Sequence, residues 1–114
     1  MKNVNIKQTR SNDGAKIVAT IEAYEDEFLP GIMNLRGCQT LKIVINRFKR
    51  VVTVVYVRNF LKMRPAENLV VPLEEISTSE GLIYNHVLQL VDHISEGVIN
   101  SSKWLEDLIK SSSR

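Results

Sequence analysis

Apolar and polar residues alternate with a period of two through most of the first half of the chain. A strand is expected over Val4 to Thr9 and a second over Ala15 to Ala23, joined by Ser11-Asn12-Asp13-Gly14, whose Asp-Gly supplies the positive φ that a tight hairpin requires. In the second strand Ile17, Ala19, Ile21 and Ala23 share one face and Lys16, Thr20 and Glu22 the other, with Val18 the exception, so one face is core. The acidic run Glu25-Asp26-Glu27 and then Pro30-Gly31 interrupt the pattern, and a loop is expected as far as Gly37. Alternation returns at Leu41, Ile43 and Ile45, against Lys42, Val44 and Asn46. Arg47-Phe48-Lys49-Arg50 form a polar turn, and the β-branched run Val51 to Val57 reads as a strand. Both faces of that run are apolar, Val51, Val55 and Val57 against Val52, Val54 and Tyr56. It is therefore expected either to be covered on both sides or to be covered on one and held in a subunit interface on the other. Pro65-Ala66-Glu67-Asn68 turns the chain into a short segment, Leu69 to Leu73, which Pro72 confines to an edge.

The period then changes. Ile83, Val87, Leu90, Val91 and Ile94 recur at helical spacing until Gly97, preceded by Ser77 and Glu80 in capping-box spacing, with Thr78 and Ser79 as competing caps. A last amphipathic helix is expected from Ser102 to Lys110, capped by Ser101 or Ser102, with Trp104, Leu105, Leu108 and Ile109 on one face and residues 110–114 as a frayed tail. Together these elements predict one α+β domain over residues 1–114, an antiparallel sheet of four or five strands in two hairpins followed by two C-terminal helices on one sheet face.

Composition narrows the class. The chain has 114 residues, of which 44% are hydrophobic and 25% charged, the proportions of one globular domain. Its longest uncharged apolar stretch, Val51 to Val57, is far short of the roughly 20 residues a helix needs to span a bilayer, so no membrane partner is expected. Met1 to Lys7 alternates where a signal peptide would show an unbroken apolar core, and a lone Cys38 forms no internal disulfide. A cytoplasmic location follows as the expectation, with nucleus and organelle left open.

Charge changes the picture most. The net charge of +2 hides a strong sorting along the chain: residues 36–64 hold eight basic residues (Arg36, Lys42, Arg47, Lys49, Arg50, Arg58, Lys62, Arg64) and no acid. Residues 1–35 carry a net −1 and residues 65–114 a net −5. A basic surface for a polyanion and an acidic surface elsewhere are implied, and solvated charges that blunt strand edges are the plain alternative.

Other chemistry finds little support. Cys38, His86 and His93 are the available soft ligands, but the two histidines stand about 10 Å apart along a helix axis, too far to share one ion. No nucleophile motif surrounds Cys38, the acids Glu22, Glu25, Asp26 and Glu27 read as a solvated loop, and the glycines are too dispersed for a phosphate-cradling loop. Neither an enzyme activity nor a cofactor or metal is expected. Nucleic-acid binding has a physical case, because Arg47, Lys49, Arg50, Arg58, Lys62 and Arg64 supply cations for phosphates, while Phe48, Tyr56 and Phe60 supply rings on which bases stack, packing of these rings into the core being the alternative.

Arg47-Phe48-Lys49, the strand Val51 to Val57 with Arg58-Asn59-Phe60, the edge segment Val70-Val71-Pro72-Leu73 and the helix that follows resemble the single-stranded-DNA-binding transcriptional coactivator family, whose fold also appears in the Whirly proteins. The resemblance runs from Asn46 to about Ile94. It implies a curved antiparallel sheet followed by a helix, a homodimer, and contacts to unpaired nucleic acid from Arg47, Lys49, Arg58 and Phe60. This sequence departs from the family in lacking the glycine usual near Lys49 and in adding the helix around Trp104. The expected function is a small non-enzymatic binder of single-stranded DNA or RNA, acting in transcription regulation; the alternative is a regulatory or adaptor module whose basic hairpin docks an acidic protein partner.

Overall fold

The structure, a computed structural model, describes residues 2–29, 32–59 and 66–112, with side chains for 3–24, 37–58 and 67–112. Five strands come first: β1 (Lys2–Arg10), β2 (Lys16–Leu29), β3 (Ile32–Asn46), β4 (Val51–Asn59) and β5 (Ala66–Pro72). They form one antiparallel meander in the order β1-β2-β3-β4-β5, so each strand pairs with its neighbour in sequence. Three helices follow, α1 (Leu73–Ser77), α2 (Leu82–Ser95) and α3 (Ser101–Ser112). The expected α+β class and hairpin order are therefore observed, with one short helix added.

Register explains the core. Ile21 stands opposite Ile6 and Leu41, and Ile43 opposite Ala19 and Val54, so the alternating apolar residues of neighbouring strands fall on the same side. That side is sealed by Ile76, Tyr84, Val87, Val91, Ile94, Leu105 and Leu108 from the helices, and Ile17, Ile21, Leu41, Ile43, Ile45 and Val52 beneath them have no exposed surface. Tyr56 packs against the edge of this core, and its hydroxyl donates to Gln39 Oε1 at 3.3 Å.

Turn chemistry fixes the first hairpin. Asp13 Oδ1 accepts from the Ser11 hydroxyl at 2.7 Å and from the Ala15 N–H at 2.9 Å, and Gly14 follows at φ 72°, where a side chain would be strained. These two hydrogen bonds, the Ser11 bond first, hold the Asp13 carboxyl below its ordinary 3.8. In the second hairpin the turn Arg47–Arg50 places Arg50 at φ 53°, the left-handed position that a glycine would fill without strain.

Several boundaries differ from the sequence-based expectation. The loop expected over Glu25 to Gly37 is instead a long hairpin: β2 continues to Leu29 and β3 begins at Ile32, because the acidic run keeps register with β3, Glu25 opposite Gly37, Asp26 opposite Arg36 and Glu27 opposite Leu35. Ser77 does not cap the long helix. It ends α1, where its hydroxyl and that of Thr78 donate back to the Glu74 carbonyl at 3.1 Å each, and α2 starts after Gly81 with no side-chain cap. The cap of α3 is Asn100 in place of Ser101 or Ser102, its Oδ1 accepting from the Lys103 N–H at 3.2 Å. Residues 110–112 belong to α3, and Ser112 is buried.

Two outcomes are expected from this architecture. Ile43→Ala, in the middle strand and fully buried, lowers the unfolding free energy by about 2–5 kcal/mol in urea denaturation. Because the Asp13 carboxyl is held below its unfolded value, its contribution to stability is present above pH 4 and is lost as the pH falls below it; Asp13→Asn flattens the pH dependence of the thermal midpoint in that acid window.

Candidate binding surface

The face of the sheet turned away from the helices carries Lys7 and Thr9 from β1, Lys16, Val18, Thr20 and Glu22 from β2, and Thr40, Lys42 and Val44 from β3. Val51, Thr53, Val55 and Val57 from β4 and Asn68 and Val70 from β5 lie on it as well, as do Asn5, Tyr24 and Cys38. No described helix covers it: the fully buried residues of these strands all lie on the opposite side, and Val70 is 66% exposed. This resolves the two-sided apolar character of β4. Its Val52 and Val54 are buried beneath the helices, whereas Val51, Val55 and Val57 are half-buried on the open face.

Charge is divided between the two layers. Residues 73–112 contain seven carboxylates against two lysines, and Glu74, Glu75, Glu80, Asp92, Glu96, Glu106 and Asp107 are all exposed on the helical layer. On the open face the described charges are Lys7, Lys16 and Lys42 against the single Glu22. Lys7 and Lys42 both stand opposite Thr20 from its two sides, in one row across β1, β2 and β3, which separates their backbones by about 10 Å. Beyond Glu22 on the same strand, the Tyr24 hydroxyl donates to Glu22 Oε2 at 2.8 Å, and this bond leads the causes that raise the Tyr24 phenol above its ordinary 10.0. Tyr24 is paired with Cys38, whose sulfur lies 3.7 Å from the Thr40 hydroxyl.

Among the described residues, the side chains of the basic hairpin point to separate places. Arg47 is half-buried and structural: its Nε donates to the Ser112 carbonyl at 3.2 Å and its Nη1 to the Gly14 carbonyl at 3.2 Å, tying the first turn to the end of α3. Arg10 donates to the Ser111 carbonyl at 3.3 Å, so two guanidinium groups meet the partial negative charge at that helix end. Arg50 pairs with Glu74 at 2.7 Å and holds that carboxyl below its ordinary range; both side chains are well exposed, so the pair contributes little to stability. Phe48, 73% exposed, and Lys49 project from the turn. Arg58 is exposed at the far end of β4, eight residues from Arg50 and thus about 26 Å along the strand. Phe60, Lys62 and Arg64 lie outside the described residues.

Lys7 and Lys16 were missed by a reading that followed the basic run alone. Their signal was present in the alternation of β1 and β2, once the Asp-Gly turn is used to set register. His86 on α2 bonds Glu67 at 2.7 Å. Among the described residues no three His, Cys, Asp or Glu side chains gather as a metal site would require.

Arg47→Ala is expected to lower stability by about 1–3 kcal/mol through loss of two bonds from a charged donor, whereas Lys49→Ala changes it by less than about 0.5 kcal/mol; chemical denaturation of the two variants measures the contrast. Comparison of the chain with protein-family models, curated proteins and solved structures finds no match.

Proposed function

We propose that this chain is a non-enzymatic binding protein that takes single-stranded nucleic acid across the open face of its sheet. The observation that carries the reading is Lys42. It lies on the middle strand of an uncovered face, with Lys7 in the same row and Lys16 nearby, while the acidic load sits on the opposite layer. A ligand on this face meets cations and is turned away from the carboxylates, as a polyanion requires. Valines and threonines around the lysines offer flat, uncharged surface to bases.

Shape selects the strandedness. Five strands span about 19 Å between their outer axes, too wide for a major groove of about 12 Å, which admits a helix or a two-stranded ribbon. Among the described residues, the ribbon at the end of the β2–β3 hairpin carries three carboxylates, Glu25, Asp26 and Glu27, against Arg36, and is repelled by phosphates. The reading keeps single-strand binding, as the family resemblance implies, but moves its centre from the hairpin to the sheet. Phe48 and Lys49 in the turn extend the face at one end, Arg58 falls on the helix side of β4 in phase with Val54 and Tyr56, and Arg47 and Arg50 serve the fold.

Anisotropy titration of a labelled oligo(dT) and its duplex tests this. Saturable binding to the single strand is expected, with a log–log salt slope near −2 for about three phosphates. Lys7→Glu/Lys42→Glu is expected to weaken it by more than about tenfold, whereas Lys103→Glu on the helical layer leaves it unchanged. Absence of binding at low salt overturns the reading and assigns the same lysines to an acidic protein partner.

A further inference from the structure

One charge on the open face runs against the rest. Glu22 is the single described carboxylate there, half-buried, and it stands opposite Asn5 on β1 and Thr40 on β3. Lys7 and Lys42 each lie two residues on from those partners, so both are diagonal neighbours of Glu22, with backbones about 7–8 Å away. That is within reach of long side chains, yet among the described residues Glu22 pairs with neither lysine. Its Oε2 accepts instead from the Tyr24 hydroxyl at 2.8 Å, on the side away from the lysine row, which crosses β2 at Thr20. The carboxylate is thus held off the two cations. Both lysines are left for phosphates, and Oε1 and the second lone pair of Oε2 are left for another donor.

A carboxylate accepts hydrogen bonds and donates none, so what it takes from a single strand is a base edge that offers N–H groups. Four kinds of edge compete. Thymine and uracil offer one ring N–H between two carbonyl oxygens, which a carboxylate repels. Adenine and cytosine offer one amine beside an unprotonated ring nitrogen. Guanine offers two donors side by side, the ring N1–H and the exocyclic N2–H, and these match the two oxygens of a carboxylate as the fork of a guanidinium does. We propose that Glu22 reads guanine, accepting N1–H and N2–H on its two oxygens, while Lys7 and Lys42 hold phosphates next to that nucleotide. The inference rests on the open face being a single-strand site, and it adds the base that this site prefers.

Anisotropy titration of three strands separates the two: oligo(dT), the same strand with one central deoxyguanosine, and the same strand with deoxyinosine there, which keeps N1–H but lacks the exocyclic amine. Guanine is expected to tighten binding about tenfold over oligo(dT), within the range that a bidentate base contact supplies, and inosine to lose most of that gain. Glu22→Gln keeps the shape but replaces one acceptor oxygen with a donor. It is expected to bind all three strands alike, and oligo(dT) no more weakly than the unaltered chain does, because a negative charge has left the face. Binding of oligo(dT) with no gain from guanine, an equal gain from inosine, or a gain that survives in Glu22→Gln overturns the base reading and leaves the open face as a strand site. Binding of none of the three strands overturns both. The inosine comparison uses the unaltered protein, so the result does not depend on how the variant folds.

Discussion

One-sided burial of the sheet is the constraint from which the rest of this structure follows. The alternation in β2, β3 and β4 puts Ile17, Ile21, Leu41, Ile43, Ile45 and Val52 on a single side, and these can be removed from water only by a layer laid across them. The helices are too short to be stable alone, and they form because Val87, Val91, Ile94, Leu105 and Leu108 find that side. Once the layers are stacked, the outer surface of the helices and the far side of the sheet are the two broad surfaces left to carry charge. The carboxylates of residues 73–112 occupy the first and Lys7, Lys16 and Lys42 the second.

Arg47 shows how such a fold redirects a charged residue. It sits in a turn at one end of the sheet, where the first hairpin turn and the last residues of α3 also arrive, and it donates to carbonyls of both. A guanidinium supplies several donors in a fixed fork, so it satisfies helix-terminal carbonyls that no backbone N–H can reach. The same contacts keep Ser111 and Ser112 helical, where the polar composition of the last residues suggests fraying. The fold also explains why the described basic residues Arg50 and Arg58 stand apart: a strand carries the chain away from its turn at about 3.3 Å per residue, so eight residues separate them by about 26 Å.

Much of the fold was legible because its signals are local. Period two with β-branched residues, an Asp-Gly turn and a switch to helical spacing each act within a few residues, and they define the strands, their order and the two longer helices. Less legible were the ends of elements, where competing local signals are settled by contact. Glu25-Asp26-Glu27 and Pro30-Gly31 read as a loop, but pairing partners on β3 extend the ladder through the acidic run. Ser77 and Glu80 have capping-box spacing, but Leu73 and Ile76 enter the core and draw the preceding turn into a helix of its own.

The amino-acid sequence by itself determined the class of fold, the buried face of β2 and β3 and the sorting of charge along the chain, because each depends on the order of residues alone. Tertiary structure decided which charges share a surface. Lys7, Lys16 and Lys42 come from three strands and meet only through register, while Arg47 and Arg50 leave the basic run for a helix end and a carboxylate. The physical reason is that charge acts through space over about 10 Å. Sequence proximity has no claim on that distance once a chain has folded into strands that run away from their turns.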